Sequence, residues 1–270
     1  GSVPGYLVNQ YAMSEWNGHL RVATTNSTDQ GQPPTTNSGV YVLAQDGRAL
    51  KLLGSVQGLG KGERIYSVRF VGPTGYVVTF RQTDPLYTVD LRDPAKPTVR
   101  GELKIPGYSA YLHPAGDSQL IGIGQNATDK GRVTGTQVSL FDVKNLADPT
   151  RIAQYSLSGA HSEAEFDPHA FLFWPATGLL VVPLQNTSIE AGNPGATAKV
   201  GPGALVLRVA GQTIGEVGFV QHPGSCVNPD FGAPIRRSLV IDQTLWTVSD
   251  GGLMASDLTS LARIAWIPLD

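Results

Sequence analysis

Cysteine is almost absent: Cys226 is the only one in 270 residues. A single thiol excludes an intrachain disulfide, a Cys-rich zinc site and a CxxC redox pair, and it leaves the compartment open. Cys226 lies in a Pro/Gly-rich loop with no base beside it in sequence, which reads as a plain thiol and not a nucleophile. Charge is also sparse. Twenty Lys+Arg stand against 22 Asp+Glu for a formal net charge of -2, and no basic run exceeds the pair Arg236-Arg237, so a nucleic-acid partner is not expected. No apolar run approaches the roughly 18 residues of a membrane span. No signal peptide is present, but Gly1-Ser2 matches the scar left by tag cleavage. The natural chain is therefore expected to extend upstream and to carry any export or anchoring signal there. Long helical periodicity is missing as well, and neither GxSxG nor HExxH occurs.

What the chain does have is turns: 32 glycines and 19 prolines scattered between short runs of β-branched and aromatic residues. The reading is all-β. Tyr66–Val71, Tyr76–Arg81, Leu86–Leu91 and Thr98–Ile105 form one set of four strands, with turns at Gly72-Pro73-Thr74-Gly75 and Asp93-Pro94. The next set repeats the plan, and its third-strand ending VSLFDVKNLADPTRIA matches LYTVDLRDPAKPTVRG of the set before it. Earlier and later copies give first strands at Leu7–Met13, Phe171–Trp174 and Ser238–Ile241. Five such four-stranded meanders of roughly 40 to 70 residues are the signature of a β-propeller. Its blades are expected at residues 3–58, 59–107, 108–161, 162–225 and 226–270. A β-sandwich, the competing arrangement, gives no reason for the recurrent ending. The polar or Gly-rich stretches 26–38, 126–136 and 186–202 read as long loops.

Several stretches carry a family resemblance. NGHLRVATT (17–25), ERIYSVRFVG (63–72), YVVTFRQTDPLYTVDLRDP (76–94), GELKIPGYSAYLHP (101–114), SEAEFDPHAFLF (162–173) and IRRSLVIDQTLWTVSDGGLMASDL (235–258) span most of the chain. They resemble a family of secreted or envelope-anchored bacterial and archaeal proteins with a C-terminal β-propeller distantly related to WD40 repeats. The resemblance implies export, a propeller fold and no established enzymatic activity. The implied role is a non-enzymatic binding or scaffold module of the cell envelope, whose partner is an envelope protein, a peptide or a glycan.

In a propeller the first strand of each blade lines the central channel, and the loop leading into it sits at one rim. Placing the units side by side brings Glu63, Arg64 and Tyr66, Tyr108, Ser109 and Tyr111, Ser162, Glu163, Asp167 and His169, and Arg236 with Arg237 to that end. Arg64, Tyr111, His113, Glu163 and Arg236 are the candidate ligand contacts. Asp167 and His169, two residues apart on an extended chain, are the candidate ligands of a divalent cation, calcium or zinc. The competing reading makes Asp167 a turn cap paired with Arg64 or Arg236. A hydrolase of the glycosidase kind, using Glu163 with Asp167 or Glu63, is the enzymatic alternative. Asp90, Asp142 and Asp257 recur at third-strand ends, where an aspartate serves turn hydrogen bonds. Arg81 and Asp84 are expected to face each other across a hairpin.

Overall fold

The computed structural model describes residues 1–28, 35–80, 83–128, 130–185, 188–191, 199–225 and 228–269. They form five antiparallel four-stranded meanders. The first contains β1 (Met13–Trp16), β2 (His19–Thr28), β3 (Thr35–Asp46) and β4 (Ala49–Leu59). The second contains β5 (Arg64–Val71), β6 (Thr74–Phe80), β7 (Thr83–Asp90) and β8 (Thr98–Pro106). The third contains β9 (Tyr108–Pro114), β10 (Gln119–Ala127), β11 (Val133–Asp142) and β12 (Thr150–Ser158). The fourth begins with β13 (Leu172–Trp174) and β14 (Leu179–Leu184). The chain then leaves it for β15 (Ser188–Ala191) and β16 (Lys199–Val200), which extend the third sheet through β12, and returns as β17 (Gly203–Ala210) and β18 (Thr213–Val220). A short hairpin, β19 (Gly224–Ser225) with β20 (Asn228–Gly232), precedes the fifth sheet: β21 (Ile235–Ile241), β22 (Thr244–Ser249), β23 (Gly252–Asp257) and β24 (Arg263–Pro268). No helix among the described residues is long and apolar enough to cross a membrane.

The strand pattern follows from burial. β6 and β14 are buried along nearly their whole lengths, whereas the fourth strands β4, β8 and β24 are mostly exposed. A strand covered on both faces needs apolar residues at consecutive positions, and an outer strand does not. In β6 the alternation is explicit. Val77 packs with Ala23, Val40 and Val42 of the first sheet, while its neighbours Tyr76 and Val78 pack with Leu112, Leu120 and Phe141 of the third. Leu179 and Val181 of β14 likewise meet Ile235 and Leu245 of the fifth sheet. Each such side chain contributes about 1.5–3 kcal/mol on leaving water.

The chain divides into two compact units, residues 1–122 with 127–133 and 141–151, and residues 123–126 with 134–140 and 152–270. Both use the same turn chemistry. Asp90 Oδ1 accepts from the Arg92 N–H, Asp142 Oδ1 from Lys144, and Asp257 Oδ1 from Thr259 and Ser260. Three residues further on, Asp93 and Asn145 cap Ala95 and Ala147 in the same way, so the repeated ending is a repeated pair of side-chain-capped turns. The residue at the end of the third strand also donates to the turn between the first two: Leu91 to Pro73, Val143 to Ser118, Val209 to Gly178 and Leu258 to Gln243. Gly178 is required there. Its φ is +67°, and a Cβ would lie 2.1 Å from the Val209 carbonyl oxygen.

Two expectations change. Leu7–Met13 is not the first strand, because the Asn9 side chain accepts from Tyr11 N–H and starts a 3-10 turn at Gln10–Ala12, which delays β1 to Met13. The stretches 26–38, 126–136 and 186–202 are partly strand, the second because β10 ends at Ala127 and β11 begins at Val133. Asn26 pairs with Asn37 in the β2–β3 ladder, and Ala191 pairs with Leu157. Cys226 and Arg81, and with Arg81 its expected pairing to Asp84, lie outside the described residues.

His222 ties the fifth sheet to the segment before it. Its Nδ1 is 2.7 Å from Ser249 Oγ, its Nε2 is 2.7 Å from Thr247 Oγ1, and its ring meets Trp266 edge-on at 4.9 Å. Burial lowers its pKa from the ordinary histidine value of 6.5 to about 4. An unfolded histidine takes up a proton below about pH 6.5 and His222 resists until about 4. Its contribution is therefore complete above pH 6.5 and is lost as the pH falls towards 4. Urea unfolding at pH 7.0 and 4.5 should show stability dropping by up to ~3 kcal/mol from this residue, and His222→Gln should remove that part of the drop.

Candidate functional site

The residues singled out from the sequence fall into three groups. In the first unit, Arg64 at the start of β5 lies over the ring of Tyr66 at 4.8 Å, and its Nη2 donates to the Tyr66 hydroxyl at 3.0 Å. Tyr66, Phe80 and Tyr108 form a closed triangle of rings, with centroid separations of 5.4, 4.7 and 4.8 Å. The bond from Ser67 Oγ to the Ser109 carbonyl, 2.6 Å, sets β9 beside β5 and brings Tyr108 to Tyr66. Arg64 is exposed and the three rings are half-buried. The contact surface is thus one guanidinium over packed aromatics, one ring pair edge-on and two tilted.

Tyr111 and His113 do not join Arg64. They gather around Arg69, further along β5. Arg69 Nη2 donates to the Tyr111 hydroxyl at 2.9 Å and Nε to the Leu112 carbonyl at 2.9 Å, and the Tyr11 ring stacks 4.2 Å from the guanidinium carbon. Tyr111 Oη is 3.0 Å from His113 Nδ1. Burial, followed by the Arg69 charge, lowers the His113 pKa to about 4, and burial pushes Tyr111 up to about 12. At neutral pH both are uncharged, with Arg69 the only cation of the group. Tyr111 is only 5% exposed, so this group fixes β5 against β9 more than it offers a contact surface.

In the second unit, the stretch SEAEFDPHAFLFWP becomes two 3-10 turns, Glu163–Glu165 and Pro168–Ala170, leading into β13. Ser162 and Glu165 form a capping box: the Ser162 hydroxyl accepts from Ala164 N–H and Glu165 Oε1 accepts from Ser162 N–H at 3.1 Å. Gln125 and Thr136 also bond to that buried carboxylate, whose pKa burial raises. Asp167 caps the second turn through His169 N–H at 3.0 Å and touches His169 Nδ1 at 3.0 Å with the same oxygen. Its other oxygen takes Arg237 Nη2 at 2.6 Å. Glu163 pairs with Arg236 at 2.9 Å and accepts from Gln185, and Arg236 reaches Asp250 at 3.5 Å. Hydrogen bonds to His169 N–H first, and then the Arg237 charge, hold the Asp167 carboxyl below its usual range.

Chemically this loop, with the β21 arginines and Asp250, is an array of three carboxylates, two guanidiniums and an imidazole. Asp167 pairs with Arg237 and not with the expected Arg64 or Arg236. A divalent cation at Asp167 and His169 would have to displace Arg237, and among the described residues no three His, Cys, Asp or Glu side chains are placed to hold a metal ion. A general acid for glycoside cleavage needs a raised pKa. In this loop that shift falls on Glu165, which is enclosed, while Asp167 is shifted down. Sequence reasoning missed Glu165, although the S-x-x-E pattern of 162–165 marks it. It also missed Arg69, Phe80, Gln185 and Asp250, which carry no local signal.

A sequence model of the family described as Beta propeller domain matches residues 1–261. Among curated proteins, an uncharacterized protein of Methanocaldococcus jannaschii is 45% identical over 186 residues, covering 69% of this chain and 28% of the relative. An uncharacterized protein of Archaeoglobus fulgidus is 42% identical over 182 residues, covering 67% and 27%. The matched region thus makes up about a quarter of the length of these relatives. Among solved structures, Sqt1 of Chaetomium thermophilum is similar with a TM-score of 0.48 at 14% identity, over 95% of this chain and 70% of its own. The same protein bound to the N-terminus of the ribosomal protein L10 gives 0.47 at 11% identity, over 94% and 72%.

The two jobs of Asp167, turn cap and ion-pair partner, separate on mutation. Asp167→Ala should lower stability by about 1–2 kcal/mol, because it removes the cap and the charge together. Asp167→Asn keeps the cap and should lose less than half of that. Denaturant midpoints of the two variants measure the split.

Proposed function

Because the chain belongs to the Beta propeller domain family, we propose that it is a binding module, a single five-bladed propeller that holds a peptide segment of an extracytoplasmic envelope partner and carries out no catalysis of its own. The observation that carries the reading is the cluster of Arg64, Tyr66, Phe80 and Tyr108. Aromatic rings and arginine are the residue types that concentrate binding energy at protein interfaces. Rings already locked against one another give up little conformational freedom when a ligand arrives.

Arg64 supplies donors for a peptide carbonyl or a carboxylate, and the half-buried rings supply flat apolar area beside it. A glycan would stack on the same rings and is the other ligand class this surface suits. Export and envelope placement are supported by the resemblance of stretches such as ERIYSVRFVG and IRRSLVIDQTLWTVSD to exported propeller proteins. The charged loop of Glu163, Asp167, His169, Arg236 and Arg237 serves in this reading as a rim whose charges are mutually compensated, tuning partner choice more than affinity.

The test is binding of the purified domain to an immobilised array of random 15-residue peptides and, in parallel, to a glycan array. Peptide capture is expected, with the affinity for the best peptide falling by about tenfold or more in Arg64→Ala and in Tyr108→Ala. Capture by glycans alone would change the ligand class. Peptide affinity unchanged in both variants would remove this surface from the proposal.

A further inference from the structure

The first sheet contains a buried cation that touches no carboxylate among the described residues. Arg21 on β2 stands opposite Ser14 of β1 and Val42 of β3 and is 3% exposed. Its Nη1 donates to the Gly72 carbonyl and its Nη2 to the Ser14 hydroxyl, the latter at 2.7 Å, while Nε is buried with no partner among the described residues. Two of the five N–H donors of the guanidinium are therefore used. The rings of Phe70 and Trp16 lie 4.9 and 5.9 Å from its central carbon. They attract a cation but bring no charge. Glu15 acts on it only through space, with its own Oε1 engaged by the Gly18 N–H at 2.8 Å. By contrast, Arg92, Arg236 and Arg237 each hold a carboxylate directly. A buried guanidinium left unpaired is costly, and an anion arriving from outside would compensate it.

There is room for one. Arg21 lines a cavity of about 330 Å³ together with Trp16, His19, Val42, Leu91 and Arg92. That volume falls within the range of small-molecule sites, which pair a mostly apolar lining with a few polar groups that fix orientation. Arg92 is engaged bidentately by Asp90, which leaves Arg21 as the uncompensated charge of the lining. Trp16, 41% exposed, forms an open aromatic wall, and Val42 and Leu91 are apolar and buried.

We infer that this cavity is a binding site for a small organic anion, its carboxylate or phosphate head meeting Arg21 and its flat apolar body lying against Trp16, Val42 and Leu91. The site is separate from the aromatic cluster at Arg64, and it stands or falls independently of peptide binding there.

The experiment is a side-chain NMR titration of ¹⁵N-labelled protein with benzoate, phenyl phosphate and inorganic phosphate. The Arg21 Nε–H and Trp16 Nε1–H resonances are expected to move together and saturate with a Kd of about 1 mM or tighter, while the indoles of Trp174, Trp246 and Trp266 stay in place. A response to benzoate alone assigns a carboxylate head; a response to the two phosphates alone assigns a phosphate. Trp16→Ala, which removes an exposed ring, should weaken binding about fivefold or more without loss of the fold, and Arg21→Met, if it folds, should abolish it. No movement of either resonance at about 50 times that Kd with any probe, or an affinity unchanged in Trp16→Ala, would overturn the inference.

Discussion

The structure depends on one constraint: a four-stranded meander of this kind has two apolar faces, and its middle strands survive only if both are covered. β6 makes the point residue by residue, with Val77 directed to one neighbouring sheet and Tyr76 and Val78 to the other. Because side chains alternate along a strand, a slip of one residue would exchange the two sets and break both interfaces together. Register in this sheet is thus enforced from two sides. The second and third strands are where the sequence tolerates least change, and outer strands such as β4 and β24, mostly exposed, are where it tolerates most.

Stacked sheets must also be held at their ends, and here polar chemistry takes over. The aspartates that close the third strands spend their oxygens on backbone N–H groups of the following turn. The backbone bond from the end of each third strand to the first turn pins those turns in four of the five sheets. The opposite ends are held less uniformly. Glu165 closes a capping box, Glu63 accepts from Thr79, and His222 bridges Thr247 and Ser249. Since these second ends differ from sheet to sheet, they are where side chains can depart from the repeat, and the aromatic and charged groups of the candidate site sit beside them.

That division explains what could be read from the sequence. The strands and the five units follow from local alternation and turn residues, and the matching endings DLRDPAKP and DVKNLADP fold as the same two capped turns because the capping residues keep their spacing. Leu7–Met13 misled because its apolar residues hide a side-chain cap at Asn9. The site was legible as a list of residue types but not as groups. Arg64 and Tyr111 lie at different heights along neighbouring strands of two sheets, and what separates them is the junction of β5 with β9, made by Ser67 and Arg69 through bonds spanning more than 40 residues of sequence. Arg21 was invisible for a related reason. In LRVATT it reads as one polar residue of a strand, and only the second sheet, with Gly72 and Leu91, buries it.

The arginines of the two units put the same residue to opposite uses. Arg236 and Arg237 are partly exposed, each faces a carboxylate, and their charge is cancelled within the loop at little desolvation cost. Such pairs orient a surface but have little left to offer a ligand. Arg21 is enclosed, its field is less screened, and most of its donors are unspent among the described residues. The free energy of binding an anion there would come from relieving a cost already present in the fold, so a modest ligand could be held by few contacts. Arg64 lies between these cases, exposed but stacked, its guanidinium held over Tyr66 and bonded to the Tyr66 hydroxyl. How much of an arginine's charge is already compensated, more than how many arginines there are, decides which parts of this surface can recognise something.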